Sequence, residues 1–251
     1  MTGFAADAGA VAHAFTPELD DDLTLEGGPA HHLGRVRRLR VDEHVTVADG
    51  DGSWRLYEVA RVERHRIVLH AVAVTVLEPT PSIRIVLAFA PTKGGQPERV
   101  VQQATELGVD ELRILMTERT VVRWHGEREP AARARLERVA TEAAGQCFRS
   151  RIPLLGPCVA PDDLDAAPGL IVTLRDGERW LSPPRASEWV AVVGPEGGFT
   201  RSELNGFGDA PHLGLGEYVL RAETAATSAA AILTSIRASR ARRSPPGTTA
   251  G

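Results

Sequence analysis

The stretch VVGPEGGFTRSEL, residues 192–204, runs from an apolar segment into a glycine-rich turn and then into a helix-like polar stretch. A buried strand that ends in glycines ahead of a helix is the unit of an open α/β sheet, where ligands bind beyond the carboxyl ends of the strands. Gly194, Gly197 and Gly198 leave room for backbone amides to approach a ligand. The turn matches neither the dinucleotide fingerprint GxGxxG nor the phosphate loop GxxxxGK followed by Ser or Thr. It also carries Glu196, an acid that disfavours a pyrophosphate and suits a ligand bearing positive charge or hydroxyl groups. As a plain connection between strand and helix the same turn would need no ligand at all.

Outward from this turn, apolar runs at 83–91, 111–116, 169–174, 189–194 and 212–216 alternate with helical stretches at about 97–107, 130–148 and 224–238. Pro97 suits the start of the first helix and Gly108 its end. Strand and helix in alternation predict a parallel sheet with helices on both faces. A second glycine turn, Leu215-Gly216, closes the last apolar run and is followed by Leu220, Arg221, Glu223 and Thr224. Thr224 suits a helix N-cap, and Arg221 and Glu223 could be a solvated charge pair. The final helix carries Ala or Ser at 225, 226 and 229–231, small residues that let a neighbour or a second subunit come close. Two glycine turns at strand ends, each with a glutamate nearby, can meet around one ligand.

Residues 41–77 have a different texture. Val, Ile, Leu, Trp and Tyr recur at near period two, interrupted by Asp49-Gly50-Asp51-Gly52, which predicts short antiparallel strands in a small barrel. The proline-containing EPTPS at 78–82 marks the boundary between the two textures. With 251 residues, 43% hydrophobic and 25% charged, the chain can hold two packed domains. A formal net charge of -4 argues against an indiscriminately basic nucleic-acid surface, so any such binding is local. HHLGRVRRLR, residues 31–40, is one such place; the basic RASRARRSPPGTTAG at the end reads as a frayed tail. Cys147 and Cys158 form no CxxC pair, which excludes a disulfide scaffold and a cysteine zinc site and fits a reducing compartment. No apolar run reaches the roughly 18 residues of a membrane span, so a cytoplasmic protein without membrane or metal is expected.

The motifs GPEGGF (194–199), LGLGEYVLRAETA (213–225), ATELGV (104–109) and HHLGRVRRLRVDEHV (31–45) together resemble the RsmE family, 16S ribosomal RNA (uracil-N3)-methyltransferases of the SPOUT superfamily. The likeness runs in order from about Phe15 to Ile236. It implies a PUA-like, RNA-binding β-barrel over residues 1–77, a SPOUT methyltransferase domain with a C-terminal trefoil knot over 82–242, and a disordered tail over 243–251. The knot comes from the resemblance alone, because general topology rules favour an open, doubly wound sheet. It further implies a homodimer, S-adenosyl-L-methionine as cofactor, and 16S rRNA, within the 30S subunit, as substrate.

Carried onto this chain by motif, Leu174, Gly194, Glu196, Gly197, Leu215, Gly216, Leu220 and Ala225 are expected to bind the cofactor. Arg221 is expected to stabilise charge on the uracil carbonyl oxygens and Glu223 to accept the N3 proton. His31, His32, Arg35, Arg37, Arg38, Lys93, Arg149 and Arg151 are expected to contact RNA. The chain departs from the family at Gly145, where an EAAEQ segment would place a glutamate, and this removes an acid from the long helix. His125 and Glu127 read as polar surface. A non-catalytic RNA-binding ribosome assembly factor is the alternative, and the intact glycine turns and Arg221 favour the enzyme over it. A nucleotide-dependent enzyme lacks its Lys and Ser or Thr after the glycines.

Overall fold

Short apolar runs punctuated by Gly, Asp and Pro build the first sheet, and longer runs of Val, Ile, Leu and Ala build the second. The computed structural model describes residues 3–28, 33, 39–94, 96–124, 128–164, 169–178 and 182–243. These fall into two units, Met1–Thr80 with Thr141–Ile152, and Pro81–Ala140 with Pro153–Gly251.

In the first unit, strands β1 (Ala12–Phe15), β2 (Asp22–Glu26), β3 (His44–Ala48), β4 (Ser53–Val62) and β5 (Arg66–Ala71) hydrogen-bond in the order β1-β3-β4-β5-β2, and β6 (Val76–Leu77) pairs with β4. All pairings are antiparallel except β1 with β3. The period-two pattern over 41–77 places Val45, Val47, Tyr57, Val59, Ile67 and Leu69 in one core, as the alternation predicts, and Leu23 and Leu25 of β2 join them. Strands β1 and β2 lie before the segment where alternation is visible. Leu33, within the basic segment, is also buried in this core.

The segment Thr141–Ile152 completes this unit. Arg151 donates to the carbonyls of Asp51 and Glu78, the latter at 2.8 Å, and reaches Thr80 Oγ1 at 3.3 Å. A Cβ on Gly145 would stand 3.7 Å from the His13 carbonyl and 3.8 Å from the Phe15 ring, so the residue that replaces the family's glutamate faces the packed wall formed by β1.

In the second unit, β7 (Arg84–Phe89), β8 (Glu111–Leu115), β9 (Leu154–Val159), β10 (Leu170–Glu178), β11 (Glu188–Val193) and β12 (His212–Leu213) form one parallel sheet in the order β12-β10-β11-β7-β8-β9. Helices α1 (Gln96–Leu107), α2 (Arg128–Gln146, of which the part from Thr141 belongs to the first unit), α3 (Arg201–Gly206) and α4 (Ala222–Arg243) follow β7, β8, β11 and β12. Ile85 to Phe89 and Trp189 to Val193 are buried throughout, as strands covered on both faces must be. The chain starts at β7, runs outward through β8 to β9, and then returns to lay β10 and β11 on the other side of β7. Ligands collect at such a reversal of strand order.

Strand β9 has no counterpart among the runs read from the sequence, because Gly156 and Pro157 break its pattern. As the sheet's edge it needs no donor from Pro157. Strand β10 runs four residues further than expected, whereas β12 is only two residues long. The extension of β10 passes within backbone contact of the chain leaving β12. Gly214 N donates to the Glu178 carbonyl at 2.9 Å, and a Cβ on Gly177 or Gly214 would run into the other's backbone. Helix α4 begins at Ala222, so Thr224 lies in its first turn, and Arg221 takes the cap position by accepting from Ala225 N at 2.9 Å. The small face of α4, with Ala226, Ala229 and Ala230 buried, lies against α1, β7 and β11 of the same unit. Thr227 Oγ1 joins it to Gln103 of α1 at 2.8 Å.

Candidate active site

The strands are all parallel, so the loops after β7, β8, β10, β11 and β12 emerge on one edge of the sheet. A cavity of about 180 Å³ opens there between the ends of β10, β11 and β12. Leu174 and Arg175 of β10, Val193, the turn Gly194 to Glu196 with Gly198 and Phe199, and, after β12, Leu215, Gly216, Tyr218 to Leu220, Ala222 and Ala225 form its walls. The two glycine turns noted in the sequence therefore do face one another across a cavity.

The turn after β11 is fixed from inside and from behind. Gly198 adopts φ +67 and donates to the Pro195 carbonyl at 2.8 Å, closing a tight turn that needs a glycine there. Thr200 and Glu203 form a capping box at the start of α3: Thr200 N donates to Glu203 Oε2 at 2.7 Å and Glu203 N to Thr200 Oγ1 at 3.3 Å. The other oxygen of this buried carboxylate accepts from Glu118 N, in the loop after β8, at 2.7 Å. From the same loop, Arg119 Nη1 donates to the carbonyl of Gly197 at 2.7 Å and to that of Phe199 at 3.2 Å. At this helix start, where a phosphate would otherwise bind, the amide of Thr200 is thus taken by the protein's own carboxylate and that of Glu203 by the Thr200 hydroxyl.

Of the residues expected to bind cofactor, Leu174, Gly194, Glu196, Leu215, Gly216, Leu220 and Ala225 bound the cavity. Gly197 does not: a Cβ there would face the aliphatic stem of Arg119 at 3.4 Å. Arg221 is exposed and Glu223 half-buried. Neither bounds the cavity, although Leu220, Ala222 and Ala225 beside them do. Lys93 is exposed in the loop after β7, on the cavity's edge of the sheet. Arg149 is half-buried in the first unit, and Arg151 is engaged by backbone carbonyls as described. His31, His32, Arg35, Arg37 and Arg38 lie outside the described residues, as do His125 and Glu127.

Sequence reading missed Arg175, Tyr218 and Val219 on the cavity wall and Arg119 behind it. Tyr218 and Val219 stand inside the quoted LGLGEYVLRAETA motif. Arg119 carries no local signal. The thiol of Cys158 is pushed up to about 11 by burial and then by the Glu129 carboxylate, so it is no nucleophile at neutral pH. Among the described residues no group of His, Cys, Asp and Glu is placed to hold a metal ion, and no helix is long and apolar enough to cross a membrane.

The profile of an RNA methyltransferase domain matches residues 78–234, and that of an RNA methyltransferase PUA domain matches residues 25–72. The chain is 30% identical to Ribosomal RNA small subunit methyltransferase E of Synechocystis sp. over 85% of its own length and 73% of that protein. To the protein of the same name from Mycobacterium tuberculosis it is 29% identical, over 85% and 86% of the two chains. Among solved structures, a methyltransferase from Legionella pneumophila in complex with bound SAM is 27% identical, with a TM-score of 0.74 over 90% of this chain and 97% of the other. Ribosomal RNA small subunit methyltransferase E from Neisseria gonorrhoeae, bound to S-adenosyl methionine, shares the fold at 24% identity, with a TM-score of 0.78 over 90% and 97%.

Proposed function

The chain belongs to the RsmE family of RNA methyltransferases, and from that premise we propose that it methylates N3 of a specific uridine in 16S rRNA, using S-adenosyl-L-methionine. The observation that carries this reading is the cavity between two glycine turns at the carboxyl edge of the parallel sheet. Its walls suit the cofactor: Leu174, Val193, Leu220 and Ala225 are apolar enough to cover an adenine, and Glu196 gives a negative partner for an amine or hydroxyl groups. The helix start at Thr200 is already capped, and the proposed cofactor needs no phosphate site.

When bound, S-adenosyl-L-methionine supplies an electrophilic methyl group on a cationic sulfonium. The protein's part is to hold the uracil N3 in line with that group and to remove its proton. Alignment of two bound reactants accounts for much of the rate. Arg221, exposed at the start of α4 beside Leu220 and Ala222 of the cavity wall, is the proposed group that stabilises negative charge on the uracil carbonyl oxygens. Glu223, two residues on, is the proposed proton acceptor.

The domains are proposed as a PUA-like RNA-binding barrel over 1–77 and a SPOUT domain over 82–242 whose end is threaded as a trefoil knot. The active unit is proposed to be a homodimer in the cytoplasm acting on the 30S particle. Lys93 and the basic residues at 31, 32, 35, 37 and 38 are proposed RNA contacts. Mass spectrometry of 16S rRNA from cells lacking the gene tests the whole reading: one methylated uridine is expected to disappear, and persistence of every one would overturn it.

A further inference from the structure

We propose that Tyr218, with Val219 beside it, is the platform on which the target base of the RNA stacks at the mouth of the cofactor cavity. Tyr218 is 81% exposed and Val219 75% exposed, yet both bound the cavity. An aromatic and a branched aliphatic side chain turned to solvent at the rim of a ligand cavity stabilise no core, and such exposure marks a surface that binds something. The inner wall already has apolar cover from Leu174, Val193 and Ala225, so a bound cofactor does not need the outward-facing ring.

The surroundings select a nucleobase over a protein surface. Arg175 bounds the same cavity, and Arg221 follows Tyr218 by three residues; both are exposed. Glu196 and Glu217 are also exposed here, so the rim is not a uniformly basic phosphate track. A mixed-charge rim around one exposed aromatic face fits a flat, uncharged base whose backbone is held elsewhere. A base that receives chemistry must leave its stack, and it recovers the lost stacking energy on an aromatic side chain. Uracil offers that side chain a π-face like any other base, so stacking would hold the base while polar groups at the rim read its edge.

This inference rests on the reading of the protein as an RNA base methyltransferase, and the experiment separates the two. Methyl transfer from labelled S-adenosyl-L-methionine is measured on 16S rRNA and on 30S particles from a strain lacking the gene. Cofactor affinity is measured by calorimetry, and subunit association by sedimentation. For Tyr218→Ala, kcat/KM for RNA is expected to fall roughly tenfold or more with cofactor Kd changed less than about twofold, and Tyr218→Phe is expected to restore the rate. Unchanged kcat/KM in Tyr218→Ala would remove the platform. An equal loss of cofactor affinity would make Tyr218 a cover for the cofactor, and a shift in sedimentation would make it a subunit contact. Failure of Tyr218→Phe to restore activity would assign the role to the hydroxyl and sink the stacking. A wild-type chain inactive on both substrates would take down the reading of the function itself, and this inference with it.

Discussion

Removing the guanidinium of Arg119 should loosen the cofactor cavity without touching its lining. Arg119 Nη1 bridges the carbonyls of Gly197 and Phe199 at 2.7 and 3.2 Å, and these two residues bracket the turn that Gly198 makes possible. A hydrogen bond from a charged donor is worth about 1.5–3 kcal/mol when protected, but Arg119 is exposed, so roughly 1–2 kcal/mol is expected for the pair. That energy shifts the balance between a held and a released turn by about 5- to 30-fold. Cofactor affinity falls only by the fraction of turns released, so Arg119→Ala should weaken S-adenosyl-L-methionine binding about three- to tenfold. The protein should stay folded, with a melting temperature lower by about 2–8 °C. Calorimetric titration of wild type, Arg119→Ala and Arg119→Lys measures this, with Lys expected in between because one ammonium cannot match the guanidinium's planar fork. Arg123→Ala is the control: that side chain donates to the Glu118 carbonyl at 3.2 Å and not to the turn, among the described residues, and its loss should leave affinity alone. Wild-type affinity in folded Arg119→Ala would show that the capping box holds the turn unaided.

Other outcomes follow from the same structure. Burial pulls the imidazole of His13 down from 6.5 to about 4, against a raising contribution from the Arg149 backbone. Between those values the unfolded chain holds a proton that the folded one lacks. Stability is therefore full above pH 6.5 and falls as the pH drops towards 4, by roughly 3 kcal/mol in total. Urea unfolding from pH 7 to 4 should show this slope, and a His13→Gln chain with an undiminished slope would remove His13 as its cause. Gly177→Ala should cost about 2 kcal/mol or more and abolish cofactor binding, because its Cβ runs into the backbone at Leu213 and Gly214. Gly197→Ala, whose Cβ meets only the stem of Arg119, should keep cofactor affinity within about threefold, and equal damage from both would refute this placement. Arg221→Ala should lower kcat by about 100-fold or more with little change in cofactor Kd; the reverse would make Arg221 a binding residue.

The sheet and both glycine turns were legible because their signals are local. Runs such as those of β7 and β11 are apolar at every position after the first, and a glycine at a strand end marks a turn whatever the rest of the chain does. Helix α1 was readable for the same reason, with Pro97 at its start and Gly108, at φ +93, just past its end. Where tertiary structure sets the outcome, sequence reading went astray. Gly156 and Pro157 disqualify a central strand but not an edge strand, and only the strand order shows that β9 is the edge. Thr224 is a good cap residue, yet the chain leaving the cavity enters the helix earlier, so Arg221 stands at the cap position and its carbonyl accepts the first helical bond, from Ala225 N. Gly177 lies beyond the apolar run at 169–174 and carries no local signal; its reason is Gly214, far along the chain, where two backbones touch.

Glu196 shows how the two kinds of signal combine. By itself, an acid in a glycine turn ahead of a helix is a misfit, because that position ordinarily attracts anions. The structure removes the premise. The amide of Gly198 is used by Pro195 and that of Thr200 by the carboxylate of Glu203, so the turn has little to offer a phosphate, and the acid at 196 opposes nothing. Glu203 was present in the quoted stretch from the start, three residues after Thr200, as the last member of a capping box. Read as a cap, it predicts a turn already satisfied from within, whose ligand must be held by shape, apolar walls and Glu196 itself. Replacing Glu203 by Gln keeps one acceptor and the side chain's shape, and should leave cofactor affinity within about threefold. Glu203→Ala should expose the helix start to anions, so inorganic phosphate should then compete with S-adenosyl-L-methionine where it does not compete in the wild type. Phosphate competition in the wild type, or none in Glu203→Ala, would contradict this account of the turn.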